Sequence, residues 1–154
     1  MKSFKKLLPY LGLPLAVGGL SALLSGNLSG YRELIRPPLS PPGWIFPVVW
    51  TVLYLLMGWA SFRVAEADGP KEAKRQGQRF YRLQLLANFL WSPVFFRLEL
   101  RLLAFGILLV LWLLICLTIH RFSAVDEKAG DLLLPYLLWV TFAGYLNFGT
   151  YLLN

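Results

Sequence analysis

The chain holds one cysteine, one histidine and eight acidic residues among 154 positions. Each scarcity removes a class of chemistry. A lone thiol, Cys116, supports neither an internal disulfide framework nor a cysteine-based metal cluster. It lies in an apolar run and reads as a buried thiol. His120, beside Arg121, has no second His, Met or Cys at a spacing that completes a haem site. It reads as a helix-terminal histidine interacting with the helix dipole and the interface. The acids Glu33, Glu66, Asp68, Glu72, Glu99, Asp126, Glu127 and Asp131 all fall in or beside expected loops. The helix interiors therefore lack the titratable stations of a proton relay and the paired carboxylates of acid–base hydrolysis. Phosphate loops, dinucleotide fingerprints and nucleophile elbows are missing as well. No internal repeat or low-complexity segment appears. A catalytic assignment has no residues to stand on.

Apolar surface, in contrast, is abundant. The composition is 57% hydrophobic and 16% aromatic, with 15% charged. A soluble domain of this length has too little interior to hide so much apolar surface, so lipid must solvate part of it. Five stretches, 7–28, 44–64, 80–96, 100–119 and 132–153, approach the roughly 20 residues that cross a bilayer. The first has neither the short apolar core nor the cleavage site of a signal peptide and reads as a retained helix. The expectation is an all-α membrane protein: one domain over 1–154, built as a bundle of five transmembrane helices.

The net charge of +7 is spread between the apolar runs instead of over one basic face, which excludes nucleic acid as a partner. Eleven Lys and Arg fall at the N-terminus and in the second and fourth connections; four fall on the other side. That excess puts the N-terminus in the cytoplasm and the C-terminus opposite, in a bacterial cell membrane. The segment "RPPLSPPGW" then lies outside. "EADGPKEAKRQGQR" and "RFSAVDEKAGD" read as solvated connections, with Asp131 favouring the start of the fifth helix. "RLEL" makes helices three and four antiparallel neighbours.

The aromatics are arranged in stripes. Phe46, Trp50, Tyr54 and Met57 share one face of the second helix. Asn88, Trp91, Ser92 and Phe95 share a face of the third, and Tyr136, Trp139, Ala143, Leu146 and Asn147 a face of the fifth. Asn facing hydrocarbon is costly, so Asn88 and Asn147 should turn inward and carry their aromatic neighbours with them. Interior aromatics also serve as packing, and Trp44, Tyr31 and Tyr151 suit a membrane–water belt. Periodicity alone does not separate a pocket from a packed core. Gly18, Ala22 and Gly26 repeat every four residues, a ridge that lets another helix approach closely. The fourth helix is apolar on every side and suits lipid or oligomer contact.

Three stretches carry a resemblance: "PPLSPPGWIFPVVWTVLYLLMG", "QLLANFLWSPVFF" and "LPYLLWVTFAGYLNFGTYLLN". In this order and separation they resemble the translocator protein family, also called tryptophan-rich sensory proteins or peripheral-type benzodiazepine receptors. The resemblance implies a five-helix bundle, commonly a homodimer, needing no cofactor and binding porphyrins such as protoporphyrin IX or other hydrophobic small molecules. It implies pocket walls from Trp50 and Tyr54, from Asn88, Trp91 and Phe95, and from Trp139, Phe142, Ala143 and Leu146. Phe46 joins them through its stripe, and Tyr31, Pro41 and Pro42 would form a lid stiffened by its prolines. In some members light-dependent porphyrin degradation involves tryptophans matching Trp50 and Trp139; that would be photochemistry on a binding protein. Membrane transport of tetrapyrroles or sterols is the alternative, though the absence of repeats and intramembrane charge weighs against alternating access. Two departures stand out: Leu39 occupies a position where the family often has Trp, and the C-terminal "GTYLLN" lacks the basic residue of the sterol-associated motif.

Overall fold

The computed structural model describes residues 2–26 and 34–154, with side chains from residue 4 onward. Every regular element among them is helical. Helix α1 spans Lys2–Ser25, α2 Ile45–Glu66, α3 Lys71–Ser92, α4 Arg101–Val125, α5 Glu127–Leu132 and α6 Leu134–Leu153. A π-helical turn, Pro93–Arg97, continues α3. Segments Phe4–Ser25, Ile45–Glu66, Arg101–Val125 and Glu127–Leu153 are long and apolar enough to cross a membrane. The fifth long helix, α3, misses that criterion because its first turns are rich in Lys, Arg and Gln.

Two connections differ from their reading as solvated loops. Most of "KEAKRQGQR" is helix, since α3 starts at Lys71. Pro70 ends the incoming chain in an extended conformation, and Glu72 in the first turn complements the helix dipole. One face of this polar stretch buries Gly77, Tyr81, Gln84, Leu85 and Asn88, so tertiary packing supports a helix that hydropathy does not reveal. At the same end of the bundle α4 runs on to Val125 and stops at Asp126, whose backbone is extended. The Asp126 carboxylate accepts the Lys128 N–H and also Arg63 Nε at 2.7 Å, so one acid caps α5 and ties it to α2. Asp131 does not start the last spanning helix; it sits exposed near the end of α5, and the capping acid is Asp126.

Helix α4 buries Ala104, Leu108, Leu111, Ile115, Thr118 and Phe122, a strict alternation of four and three that presents one seam. Its other faces expose Leu103, Leu109, Val110, Leu113 and Leu117, as a lipid-facing helix should. The seam packs against α3 and α6, while α1 packs against α2 and α3.

Prolines shape two of these contacts by releasing carbonyl groups. Pro14 lies inside α1 and cannot donate to the Tyr10 carbonyl one turn back. Gly58 of α2 closes on that point: a β-carbon there would overlap the Tyr10 carbonyl oxygen and lie 2.8 Å from Leu11 Cα. Close approach there requires glycine. Pro93 likewise leaves the Phe89 carbonyl without its helical donor, and Ser21 Oγ of α1 donates to it at 2.8 Å. The freed backbone widens into the π turn, where the Leu98 N–H reaches the Pro93 carbonyl at 3.0 Å.

Candidate ligand-binding site

The C-terminal half of α1, the N-terminal half of α2 and the end of α3 diverge around a cleft of about 370 Å3. Small residues on α1 make the room. Gly18, Ala22 and Gly26 line the cleft, so the expected ridge is used to keep a space open here. Gly18 also admits the Tyr54 ring, whose Cζ would lie 2.6 Å from a β-carbon at that position. The opposite wall is aromatic: Phe46, Trp50 and Tyr54 from α2, with Trp91 and Phe96 from the α3 end. Trp50 and Tyr54 are stacked at 5.6 Å between ring centroids, as their four-residue spacing dictates.

Polar groups are few and fixed in place. Tyr54 OH donates to Asn88 Oδ1 at 3.0 Å, Asn88 Nδ2 donates to Tyr136 Oη at 2.7 Å, and Tyr136 OH donates to Gln84 Oε1 at 2.7 Å. This chain joins α2, α3 and α6 through the interior. Asn147 accepts the Trp91 indole N–H at 2.8 Å and donates to the Arg101 carbonyl at 2.9 Å, which orients that tryptophan against the cleft. At the mouth, Ser25 Oγ and Ser92 Oγ lie 2.6 Å apart, and Arg97 donates to the Leu24 carbonyl at the end of α1. A planar apolar ligand entering here would meet ring faces on one side and backbone on the other.

A second, much smaller space of about 30 Å3 adjoins the cleft. Trp139, Ala143 and Leu146 of α6 line it together with Phe95. Phe46, Trp50, Trp91 and Phe96 border both spaces and form the partition between them. Trp139 meets Trp50 of the partition edge to face, with centroids 6.5 Å apart. The Trp139 indole N–H is buried without a hydrogen-bond partner among the described residues.

The residues expected from the sequence therefore divide. Phe46, Trp50, Tyr54, Asn88 and Trp91 line the cleft. Phe95, Trp139, Ala143 and Leu146 line only the smaller space, and Phe142 lines neither, packing instead on Trp139 and Tyr145. Tyr31 lies outside the described residues. Pro41 and Pro42 are absent from both walls, although Ser40 borders the smaller space and Gly43 the cleft.

The proline segment is strapped to α6. Pro37 is buried against Gly149, where a β-carbon would come within 2.8 Å of its ring. Tyr145 OH donates to the Pro38 carbonyl at 2.7 Å, and Asn154 exchanges hydrogen bonds with the Ile35 backbone at 3.2 and 2.8 Å. Leu39 holds φ 71° and is 84% exposed, so it points away from the cleft. Sequence reading passed over Ser21, Ser25, Phe96 and the strap. The serine pair had a signal, since residues 21 and 25 share a helix face with Gly18 and Ala22. The strap had none.

Against known proteins the chain is 40% identical over 151 residues to a tryptophan-rich sensory protein of Cereibacter sphaeroides, covering 98% of this chain and 90% of that one. It is 38% identical over 146 residues to a tryptophan-rich protein of Chlorobaculum tepidum, covering 94% and 92%. Similarity extends to the translocator protein of Bos taurus, at 34% over 119 residues, covering 77% and 70%. The TspO/MBR family model matches residues 10–152, a span that takes in all three aromatic stripes, the cleft and the smaller space beside it. The chain is a multi-pass membrane protein and belongs to the TspO/MBR family.

Proposed function

We propose that this protein binds porphyrins, protoporphyrin IX and haem-type tetrapyrroles among them, and similar planar hydrophobic molecules in the cleft between α1, α2 and α3. One observation carries the reading: stacked aromatic rings face a small-residue helix across a space of about 370 Å3, with the few polar groups already paired. Such a space falls in the range of small-molecule sites, roughly 300–1,000 Å3. Pre-paired polar groups bring little desolvation cost when a ligand covers them. A macrocycle wider than the cleft gains the rest of its room when the partition side chains rotate, which brings it to Trp139 and its unpaired N–H.

In this reading the protein is a sensor or binding component, with the N-terminus cytoplasmic, in a bacterial cell membrane and as a homodimer. The charge bias supports the orientation, bacterial relatives support the location, and the exposed apolar faces of α4 offer a surface for a second copy or for lipid. Titration of protoporphyrin IX against tryptophan fluorescence tests the site. Saturable quenching should weaken at least tenfold in affinity in Trp50→Phe/Trp91→Phe; an unchanged affinity would place the ligand elsewhere.

A further inference from the structure

At the other end of α1, α2 and α3, away from the aromatic cleft, a second large cavity of about 390 Å3 opens between the same helices. Its composition is different. Lys74, Arg75 and Arg82 line one side and no acid lines it. Ser61 and Gln78 make the back wall, locked together by two bonds: Ser61 Oγ donates to Gln78 Oε1 at 2.8 Å, and Gln78 Nε2 to the Ser61 carbonyl at 3.0 Å. Pro9, Tyr10 and Leu13 of α1 supply an apolar flank. Tyr81 also belongs to the wall, and its buried hydroxyl has no hydrogen-bond partner among the described residues.

The three cations are only partly engaged. Lys74 Nζ donates to the Ala67 carbonyl at 2.8 Å, which leaves its charge uncompensated. Arg75 stands 3.8 Å from Glu72, with both side chains largely exposed. Arg82 makes no ion pair among the described residues. The positive charges around the hollow repel one another, Glu72 offsetting part of the charge of Arg75 alone, and an anion among them would relieve that repulsion. Their depth selects the anion. Ser61 and Ala65 lie in the last turns of the candidate span Ile45–Glu66, and Pro9 lies near the start of Phe4–Ser25, so the hollow opens near the ends of two candidate spans, where a bilayer would carry its headgroups.

We propose that this cavity binds a phosphate group at the membrane boundary, held by Lys74, Arg75 and Arg82, with the apolar flank taking the start of an acyl chain when the phosphate belongs to an anionic phospholipid. Basic pockets between transmembrane helices hold lipid phosphates in this way, and Arg forks match phosphate oxygens in pairs. The site is independent of the aromatic cleft: its walls share no residue with it.

The test uses the full chain purified in detergent, with phosphatidylglycerol, phosphatidylcholine and inorganic phosphate as probes. Bound lipid is counted by native mass spectrometry, and phosphate binding is read from the thermal midpoint. Phosphatidylglycerol should be retained at least fivefold over phosphatidylcholine, and that preference should vanish in Arg75→Gln/Arg82→Gln. Both side chains are exposed, and helical content before lipid addition checks that the variant folds. A control pair, Lys5→Gln/Lys128→Gln, removes the same charge elsewhere and should keep the preference. If inorganic phosphate stabilises the protein and the effect disappears in the cavity variant, while the lipids bind alike, the site holds a free phosphate. Equal retention of both lipids with no phosphate effect overturns the proposal, as does an equal loss in the two variant pairs.

Discussion

Ser21 of α1 donates its hydroxyl to the carbonyl of Phe89 in α3, at 2.8 Å, and that carbonyl is free because Pro93 has no N–H to offer it. One residue that disrupts a helix thereby creates the acceptor that fastens another helix. Ser21→Ala leaves a partly buried carbonyl without a donor and should cost about 1–2 kcal/mol. In a Pro93→Ala background the helix supplies its own donor, so the same change should cost at least about 0.5 kcal/mol less. Unfolding of the four variants in mixed micelles, followed by circular dichroism, reads the coupling; additive losses would separate the two residues.

Neighbouring glycines on α1 should behave oppositely. Gly18→Ala drives a methyl group into the Tyr54 ring, whereas a β-carbon at Gly19 meets nothing within 4 Å. Gly19→Ala should be neutral or stabilising by up to about 1 kcal/mol through helix propensity. Gly18→Ala should displace Tyr54 from Asn88 and lower protoporphyrin affinity severalfold. Fluorescence titration of both variants checks this, and equal affinities would mean that the ring moves without consequence.

Asn88 holds two tyrosines at once, accepting from Tyr54 and donating to Tyr136. Asn88→Leu removes both bonds and buries a leucine where polar groups converge, with an expected cost of about 1–3 kcal/mol. Tyr54→Phe removes one bond and should cost less. The ranking of the two thermal midpoints decides it.

The tryptophan within the partition and the one behind it should differ in light. Trp50 borders both spaces and Trp139 only the smaller one. On illumination with bound protoporphyrin IX, loss of the porphyrin absorbance should slow more in Trp50→Phe than in Trp139→Phe. In strict darkness no loss is expected, because no carboxylate, histidine or lysine among the described residues lines the cleft; dark turnover would make the protein an enzyme.

Orientation is open to a direct measurement. In a Cys116→Ala background, Leu152→Cys should react with an impermeant maleimide on spheroplasts, and Lys5→Cys only after permeabilisation. The reverse labelling pattern would invert the assigned sides.

Much of this molecule is legible along one dimension. The apolar runs announce helices because a bilayer requires every backbone group to be satisfied within its own segment. The spacing of Phe46, Trp50 and Tyr54 puts them on one face, and the cost of burying an amide turns Asn88 inward; both facts concern single helices, so local periodicity contains them. The helical start at Lys71 escaped hydropathy because a polar sequence becomes helix there by burying Tyr81 and Gln84 against neighbours.

What only the tertiary structure decided is which faces meet. No rule of spacing says that Ser21 finds Phe89, that Gly58 closes on Tyr10, or that Gly149 makes room for Pro37. Each pairing is set by the relative rotation and depth of two helices, which depends on every other contact in the bundle. For the same reason the sequence brought Trp50 and Trp139 toward a common interior, and packing decided that a partition of aromatic rings stands between the larger space and the smaller one. The helices follow from the sequence one at a time; the cleft exists only between them.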